Sequence, residues 1–235
     1  MSDSPTWKTL AGTFLHRAVL HPGGKWRYVN TPETRDEYLD HSRRLAHQLH
    51  YALQDEDFPL ATALADSGGP SWAKSVDQYR ELSPRDKGCA ISPLLESAET
   101  ITECILEEAE KNHWMQVRTE VDAPMAYLNG ETNTRIDLLV KRERLSPVVV
   151  ELKTSRYKEP SPDAQKMTEE NVASYARMVA KMCQRNVNYQ WVWARRSDGT
   201  CTWGEQHTIT PPTARTKAFH TRTGQVRRKS SGGVQ

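Results

Sequence analysis

Apolar and polar residues alternate in three consecutive stretches between residues 115 and 154, and this period of two predicts three β-strands. The stretches read MQVRTEVDAP, TRIDLLV and PVVVELKT. Because side chains two positions apart lie on the same face of a strand, each stretch presents one apolar face. The residues of that face are Val117, Thr119, Val121, Ile136, Leu138, Val140, Val148, Val150 and Leu152. We therefore expect three strands of one sheet.

Helical periodicity flanks these strands on both sides. The segment 92–113 begins with Ser-Pro, a helix-start signal, and its apolar residues follow one helical face. A second helical pattern follows in EENVASYARMVAKMCQ, and YQWVWARR reads as one more strand. The order helix, three strands, helix, strand predicts an α/β domain with a mixed central sheet.

The first part of the chain has a different pattern. Thr31 can cap a helix with Pro32 at its first position, and this helix is expected to run for about 20 residues to QDEDFP. The turn-rich strings ADSGGPSW and SPRDKG then separate it from the regular part. We expect a helical accessory region over 1–88 and the α/β domain over 89–212.

Composition limits the classes of protein that fit. The chain has 235 residues, 26 % of them charged, and a formal net charge of +2, which suits one ordinary globular domain with appendages. It has no apolar run of membrane-spanning length, and its start lacks the features of a secretion signal. The four cysteines are scattered, so neither a disulfide framework nor a metal knuckle is indicated. We expect an intracellular protein, without distinguishing nucleus from cytoplasm.

Residues 213–235 carry six basic residues and no acidic one. Such a segment cannot bury a core, so we expect a disordered basic tail that contacts polyanions or simply keeps the protein soluble. Two strings in it, ARTK and RKSSGG, resemble pieces of a histone tail. The basic residues are Arg215, Lys217, Arg222, Arg227, Arg228 and Lys229.

The candidate chemistry lies on the second and third predicted strands. Glu151 and Lys153 share one strand face, and Asp137 on the preceding strand can converge with them. Two carboxylates repel each other, whereas a divalent cation satisfies both, so these acids with the backbone carbonyl of Leu152 make a plausible half-cage for Mg²⁺ or Mn²⁺. Lys153 can then orient or help deprotonate the attacking water, or neutralise developing charge. The alternative is a structural salt bridge on an edge strand.

The strings TRIDLLV and VVVELKTS resemble the D…ExK signature of the PD-(D/E)XK nuclease superfamily, over roughly residues 92–196. The resemblance implies a restriction-endonuclease-like αβββαβ core and metal-dependent hydrolysis of phosphodiester bonds. It also implies a catalytic glutamate on the helix before the sheet. Glu103 is the preferred match, with Glu99 and Glu107 as alternatives one turn away.

The helix after VVVELKTS narrows the resemblance to the RecB and λ-exonuclease-like branch. These nucleases carry a Gln-x-x-x-Tyr motif on that helix, and NVASY places Tyr175 and Asn171 at the corresponding positions. The cysteine pattern of the iron–sulfur members is absent.

The resemblance implies a nucleic-acid substrate, with DNA favoured over RNA and exonuclease-like cleavage. Basic residues expected to bind it are Arg156, Lys158, Arg195, Arg196 and, in the tail, Arg227, Arg228 and Lys229. One alternative is an inactive nuclease fold that binds nucleic acid or protein. Another is an RNA endonuclease of the cap-snatching type, for which His47 or His50 would supply an upstream ligand if the N-terminal helix packed over the site.

Deleting residues 213–235 is expected to weaken nucleic-acid binding on all sequences alike and to lower its salt dependence, because six cations that release phosphate counterions are lost. Affinity titrations at several salt concentrations test this. An unchanged slope of log K against log salt would leave solubility, or the histone-like strings, as the better explanation of the tail.

Overall fold

The structure is a computed structural model, and its secondary structure follows the sequence pattern closely in the second half of the chain. The described residues are 6–20, 25–27, 31–64, 70–123 and 134–211. The basic residues of the tail lie outside these ranges.

Within the described residues the chain forms six helices and seven strands. The helices are α1 (Trp7–Leu20), α2 (Pro32–Gln54), α3 (Phe58–Ala63), α4 (Pro70–Arg80), α5 (Pro84–Lys111) and α6 (Pro162–Cys183). The strands are β1 (Lys25–Arg27), β2 (Trp114–Ala123), β3 (Thr134–Arg142), β4 (Val148–Ser155), β5 (Val187–Arg195), β6 (Cys201–Trp203) and β7 (His207–Ile209). In the parts that the structure describes, no helix is both long and apolar enough to cross a bilayer.

All the strands belong to one mixed sheet. Its order is β1-β2-β3-β4-β5-β6, and β7 pairs with β5 beside β6. Strands β2, β3 and β4 are antiparallel neighbours, whereas β4 and β5 are parallel and are joined by α6 as a crossover. The α/β class, the mixed sheet and the order α5-β2-β3-β4-α6-β5 confirm the prediction from the pattern.

The two faces of the sheet bury different helices. Alternate residues of β4, including Val150, point into the larger core together with α1, α2 and α5. The residue between them, Val149, faces the opposite way and packs against Val172 and Ala176 of α6. The sheet is therefore covered on both sides, which explains why β4 is apolar at every position up to Val150.

Helix α5 begins earlier than predicted. The sequence suggested a start at Ser92-Pro93, with a turn over 83–88, but the helix begins at Pro84. The Ser83 hydroxyl caps it by accepting from the Asp86 N–H at 3.2 Å, and Pro84 occupies the first turn, where no N–H is required. The Ser-Pro helix-start signal occurs twice in this part of the chain. The first copy starts the helix, whereas Pro93 of the second copy is buried inside it.

The N-terminal helices share the core of the sheet. Leu10 and Phe14 of α1 belong to the same buried cluster as Val150 and Val192. Residue 88, the predicted boundary of the accessory region, lies inside α5. Helix α1 is therefore built into the same core as the strands.

Replacing Gly204 with alanine is expected to destabilise the protein by about 1–3 kcal/mol, because the added Cβ would lie 2.2 Å from the Trp191 ring, whose N–H donates to Glu169. The matched control is Gly88→Ala. Gly88 lies in α5 with nothing near its Cβ position, so alanine should stabilise the helix by about 0.5–1 kcal/mol. Urea unfolding of both variants measures the difference, and equal shifts would contradict the close approach at Gly204.

Candidate active site

The site forms where β3 and β4 stop pairing. Their register runs through Val140↔Val148 to Leu138↔Val150, and no further pair follows. Beyond this point Leu152 is not paired with β3, and its N–H donates to the Asp137 carboxylate, Leu152 N to Asp137 Oδ2, at 2.8 Å. A side chain thus replaces the backbone ladder and fixes the orientation of Asp137.

Glu151 and Lys153 lie next to this junction on β4. The Lys153 ammonium donates to Glu151 Oε1 at 2.5 Å. The Glu151 side chain is only 6 % exposed, whereas the Lys153 side chain is 37 % exposed. Extending the register places Glu151 opposite Asp137, on the face that carries Val149. The predicted convergence of Asp137, Glu151 and Lys153 is therefore present.

Both carboxyl groups are less acidic than usual. Burial raises the pKa of Asp137 to about 7, against the opposing effects of Lys153 and the Leu152 N–H. Burial, followed by repulsion from Asp137, raises the pKa of Glu151 to about 7 as well. Burial lowers the pKa of Lys153, but attraction to Glu151 and Asp137 outweighs it, so the net shift is upward. The pair therefore favours a bound positive charge.

His16 enters the site from α1, and the sequence analysis did not identify it. Burial, then Lys153, lowers the pKa of its imidazole, while Glu151, Glu120 and a hydrogen bond with the Leu152 backbone raise it. The His16 ring therefore lies beside the Leu152 backbone, on the side of β4 that faces α1. The Leu152 carbonyl, predicted as a metal ligand, belongs to this backbone.

Next to Asp137, a glutamate of β2 forms an ion-pair cluster with two arginines. Glu120 of β2 accepts from Arg17 at 2.8 Å and from Arg135 at 3.4 Å. Glu120 has a left-handed backbone, with φ of 45°, which interrupts the alternation of β2 beside Asp137. The Arg17 guanidinium also lies 5.1 Å from the centroid of the Trp72 ring. This cluster anchors α1 to the sheet.

A cleft of about 520 Å³ opens beside the ion-pair cluster, and of Asp137, Glu151 and Lys153 it is Lys153 that lines it. Gly12 lets α1 approach β4 closely at this cleft, since a Cβ there would lie 3.0 Å from Thr154 Oγ1. The cleft is lined by α1 from Lys8 to Arg17, by Glu120, by Arg135, and by Lys153 and Thr154.

Of the two α6 residues predicted for the site, only one interacts electrostatically with Asp137, Glu151 and Lys153. Tyr175 of α6 is partly buried, and Glu151, Lys153 and Asp137 all act on its pKa, which burial raises. Asn171 is exposed.

The glutamates of α5 face away from the site. Glu103 is exposed and acts electrostatically on Arg43 of α2, which forms an ion pair with Glu99. Neither acts on the pKa of Asp137 or Glu151, whereas Glu120 acts on that of Asp137. The structure therefore does not bring the predicted helix glutamate to the site, because that face of α5 packs beside α2.

The basic residues predicted to bind nucleic acid have different surroundings, since two of them are exposed and two are bonded to other parts of the fold. Arg156 and Lys158 are exposed after β4, and the Arg156 guanidinium lies 4.5 Å from the centroid of the Tyr157 ring. Arg195 is paired with Asp198 in the following turn. Arg196 donates to the Lys8 carbonyl at the start of α1, beside the cleft.

The two histidines considered from the sequence lie elsewhere. The His50 ring contacts the Ile91 carbonyl at 3.2 Å and Gln54 at 3.0 Å, and His47 is exposed on the same helix. The sequence signal for His16 was present but easily missed. It is a histidine one turn after Gly12 in the mostly apolar stretch LAGTFLHRAVL.

No protein-family model, curated protein or solved structure matches this chain. Among the described residues, no three His, Cys, Asp or Glu side chains are already grouped as a metal cage. The fit to a hard cation instead rests on two buried carboxylates that repel each other and share only one ammonium.

We expect the Asp137→Asn variant to be more stable than the wild type at pH 8 in EDTA, by on the order of 3 kcal/mol. The ordinary pKa of Asp137 is 3.8 and the folded value is about 7, so the folded state retains a proton that the unfolded chain loses. Wild-type stability should therefore fall as pH rises from about 4 to 7, and asparagine removes that loss.

Urea unfolding at pH 4, 6 and 8 measures this dependence. Asp77→Asn, at an exposed position on α4, is the matched control and should follow the wild type. Parallel pH profiles for wild type and Asp137→Asn would refute a destabilising buried charge at this position.

Proposed function

We propose that this protein is a divalent-metal-dependent nuclease that hydrolyses phosphodiester bonds, with a restriction-endonuclease-like core. The observation that carries the proposal is the convergence of Asp137, Glu151 and Lys153 where β3 and β4 separate, with Lys153 lining an open cleft. The D…ExK strings occupy these positions on two antiparallel strands, followed by the α6 crossover.

Asp137 and Glu151 would hold the cation, Mg²⁺ or Mn²⁺, because both offer hard oxygen atoms in a partly dehydrated setting. When bound, the cation would lower the pKa of water and offset negative charge on the scissile phosphate. The Leu152 N–H holds the Asp137 carboxylate in place, so Asp137 is oriented before any ligand arrives.

Lys153 would stabilise charge rather than remove a proton. Its pKa is raised by its acidic neighbours, so the ammonium stays protonated at neutral pH. About a third of its side chain is exposed and it lines the cleft, where it can donate to a phosphate oxygen.

His16 would act as a neutral imidazole. Its pKa is lowered by burial and by Lys153, and its ring lies beside the Leu152 backbone and lines the cleft. In the neutral ring, the nitrogen without a proton would be an acceptor for a water molecule or a ligand for the cation.

The balance of charge at the cleft favours an anionic substrate. Lys8, Arg17, Arg135 and Lys153 line it, whereas Glu120 is the acidic residue among its described lining. The exposed Arg156 and Tyr157 continue this surface beyond β4 and offer a cation and an aromatic face to a nucleic-acid strand. DNA is the favoured substrate, with exonuclease-like attack.

A histidine at the site also favours the second candidate, an RNA endonuclease of the cap-snatching type. The residue concerned is His16, in place of the His47 or His50 considered from the sequence. The two functions differ in their substrates, so cleavage assays on DNA and on RNA separate them.

In a nuclease assay, Asp137→Asn and Glu151→Gln are expected nearly to abolish cleavage, because a neutral amide holds a cation poorly. Lys153→Ala should lose about 10²-fold in rate yet keep the melting-temperature shift caused by Mn²⁺. The substrates are end-labelled single- and double-stranded DNA and RNA, linear and circular, with Mg²⁺, Mn²⁺ or EDTA.

Glu103→Gln is the matched control, because Glu103 is exposed on α5 away from the site. It should cleave at close to the wild-type rate. Cleavage of circular DNA would exclude an obligate exonuclease, and cleavage of RNA alone would favour the endonuclease alternative. No metal-dependent melting shift and no cleavage would leave Glu151 and Lys153 as a structural ion pair and an inactive binding module as the better function.

A further inference from the structure

A second cavity lies at the opposite end of β3 and β4 from the candidate active site. It has a volume of about 700 Å³ and lies between the β3–β4 hairpin and the end of α6. Asp137 and Arg142 are five residues apart on β3, so the cavity is about 17 Å from the site at the usual rise of roughly 3.4 Å per residue.

Four cations from three segments surround this cavity, which we call the hairpin groove. Lys141 and Arg142 end β3, Arg144 belongs to the hairpin, and Arg185 follows α6. The other residues that line the groove are uncharged. The groove therefore collects positive charge with no acidic residue in its lining.

These four cations also lack ion-pair partners among the residues that the structure describes. Arg142 Nε donates to the Ser146 carbonyl at 3.1 Å, which secures the hairpin. Arg17, Arg135 and Arg195, in contrast, are each paired with an acidic residue. Unpaired cations that face one another across a groove repel, so an anion bound there would relieve a repulsion that the protein itself leaves in place.

We propose that the hairpin groove is a second, sequence-independent contact for the phosphate backbone of nucleic acid. Lys141, Arg144 and Arg185 are exposed and spread over separate segments. Such a layout suits a repeating anion contacted at several points, whereas a small anion is held by donors that converge in a buried pocket. Leu145 is the one large exposed apolar side chain among the described lining residues, too little to anchor a membrane.

Nucleic-acid binding in EDTA tests this contact without any hydrolysis, so the result is independent of the proposed nuclease activity. The variant Lys141→Ser/Arg185→Ser removes two groove cations, and Lys74→Ser/Arg85→Ser removes two exposed cations of α4 and α5 as the matched control. Arg142 and Arg144 are kept, since Arg142 secures the hairpin and Arg144 has a left-handed backbone.

The groove variant is expected to bind 20-nucleotide single-stranded and duplex DNA about tenfold more weakly at 0.1 M salt. The slope of log K against log salt should fall by about 1.4 for the single strand and about 1.8 for the duplex, as for two lost phosphate contacts. The control variant should bind as the wild type does. Equal losses in the two variants would reduce the effect to net charge and overturn the proposal, as would wild-type binding by the groove variant.

Two further measurements test the groove in the wild-type protein, without any substitution. Acetylation of wild-type lysines with and without DNA should show protection of Lys141 but not of Lys74, whatever the stability of the variants. Pyrophosphate and vesicles containing phosphatidylserine serve as competing anions. If either protects Lys141 while DNA does not, the groove binds a small phosphate or a membrane surface instead, and the proposal fails.

Discussion

The hydrogen bond from the Leu152 N–H to the Asp137 carboxylate marks the point where the backbone ladder between β3 and β4 ends. Two strands that separate leave polar backbone groups without partners, and in a covered sheet these groups must find others. Here the Asp137 carboxylate accepts from the N–H, and the His16 ring lies beside the same backbone. The separation therefore orients the Asp137 carboxylate next to the cleft that Lys153 and His16 line.

Helix α1 determines what that opening becomes. Its apolar side, with Leu10 and Phe14, is part of the main core, so the helix cannot move away without exposing buried surface. Arg17 fixes its far end through Glu120, and Gly12 allows close approach to Thr154. Core packing, close approach and ion pairing thus hold α1 against the sheet beside the cleft.

Positive charge is used in two ways in this molecule. Around the cleft, Arg17 and Arg135 share Glu120, so they hold geometry as well as attract anions. Around the hairpin groove, Lys141 and Arg185 lack ion-pair partners among the described residues, and their charge acts on the surroundings. Paired cations suit a site where atoms must be positioned, and unpaired cations suit long-range attraction. A nearly balanced net charge of +2 conceals this division.

Local patterns alone predicted the α/β class, the order α5-β2-β3-β4-α6-β5 and the meeting of Asp137 with Glu151 and Lys153, because strand alternation and short connections act over a few residues. The sequence could not place α1, since a helix about 120 residues before β3 reaches it only through core packing. Tertiary structure likewise decided that His16 and Glu120 stand at the site while Glu103 faces α2. Several glutamates of α5 lie in similar local sequence, so the sequence does not show which of them faces a cleft and which faces solvent. The element that packs against each face of the helix decides this.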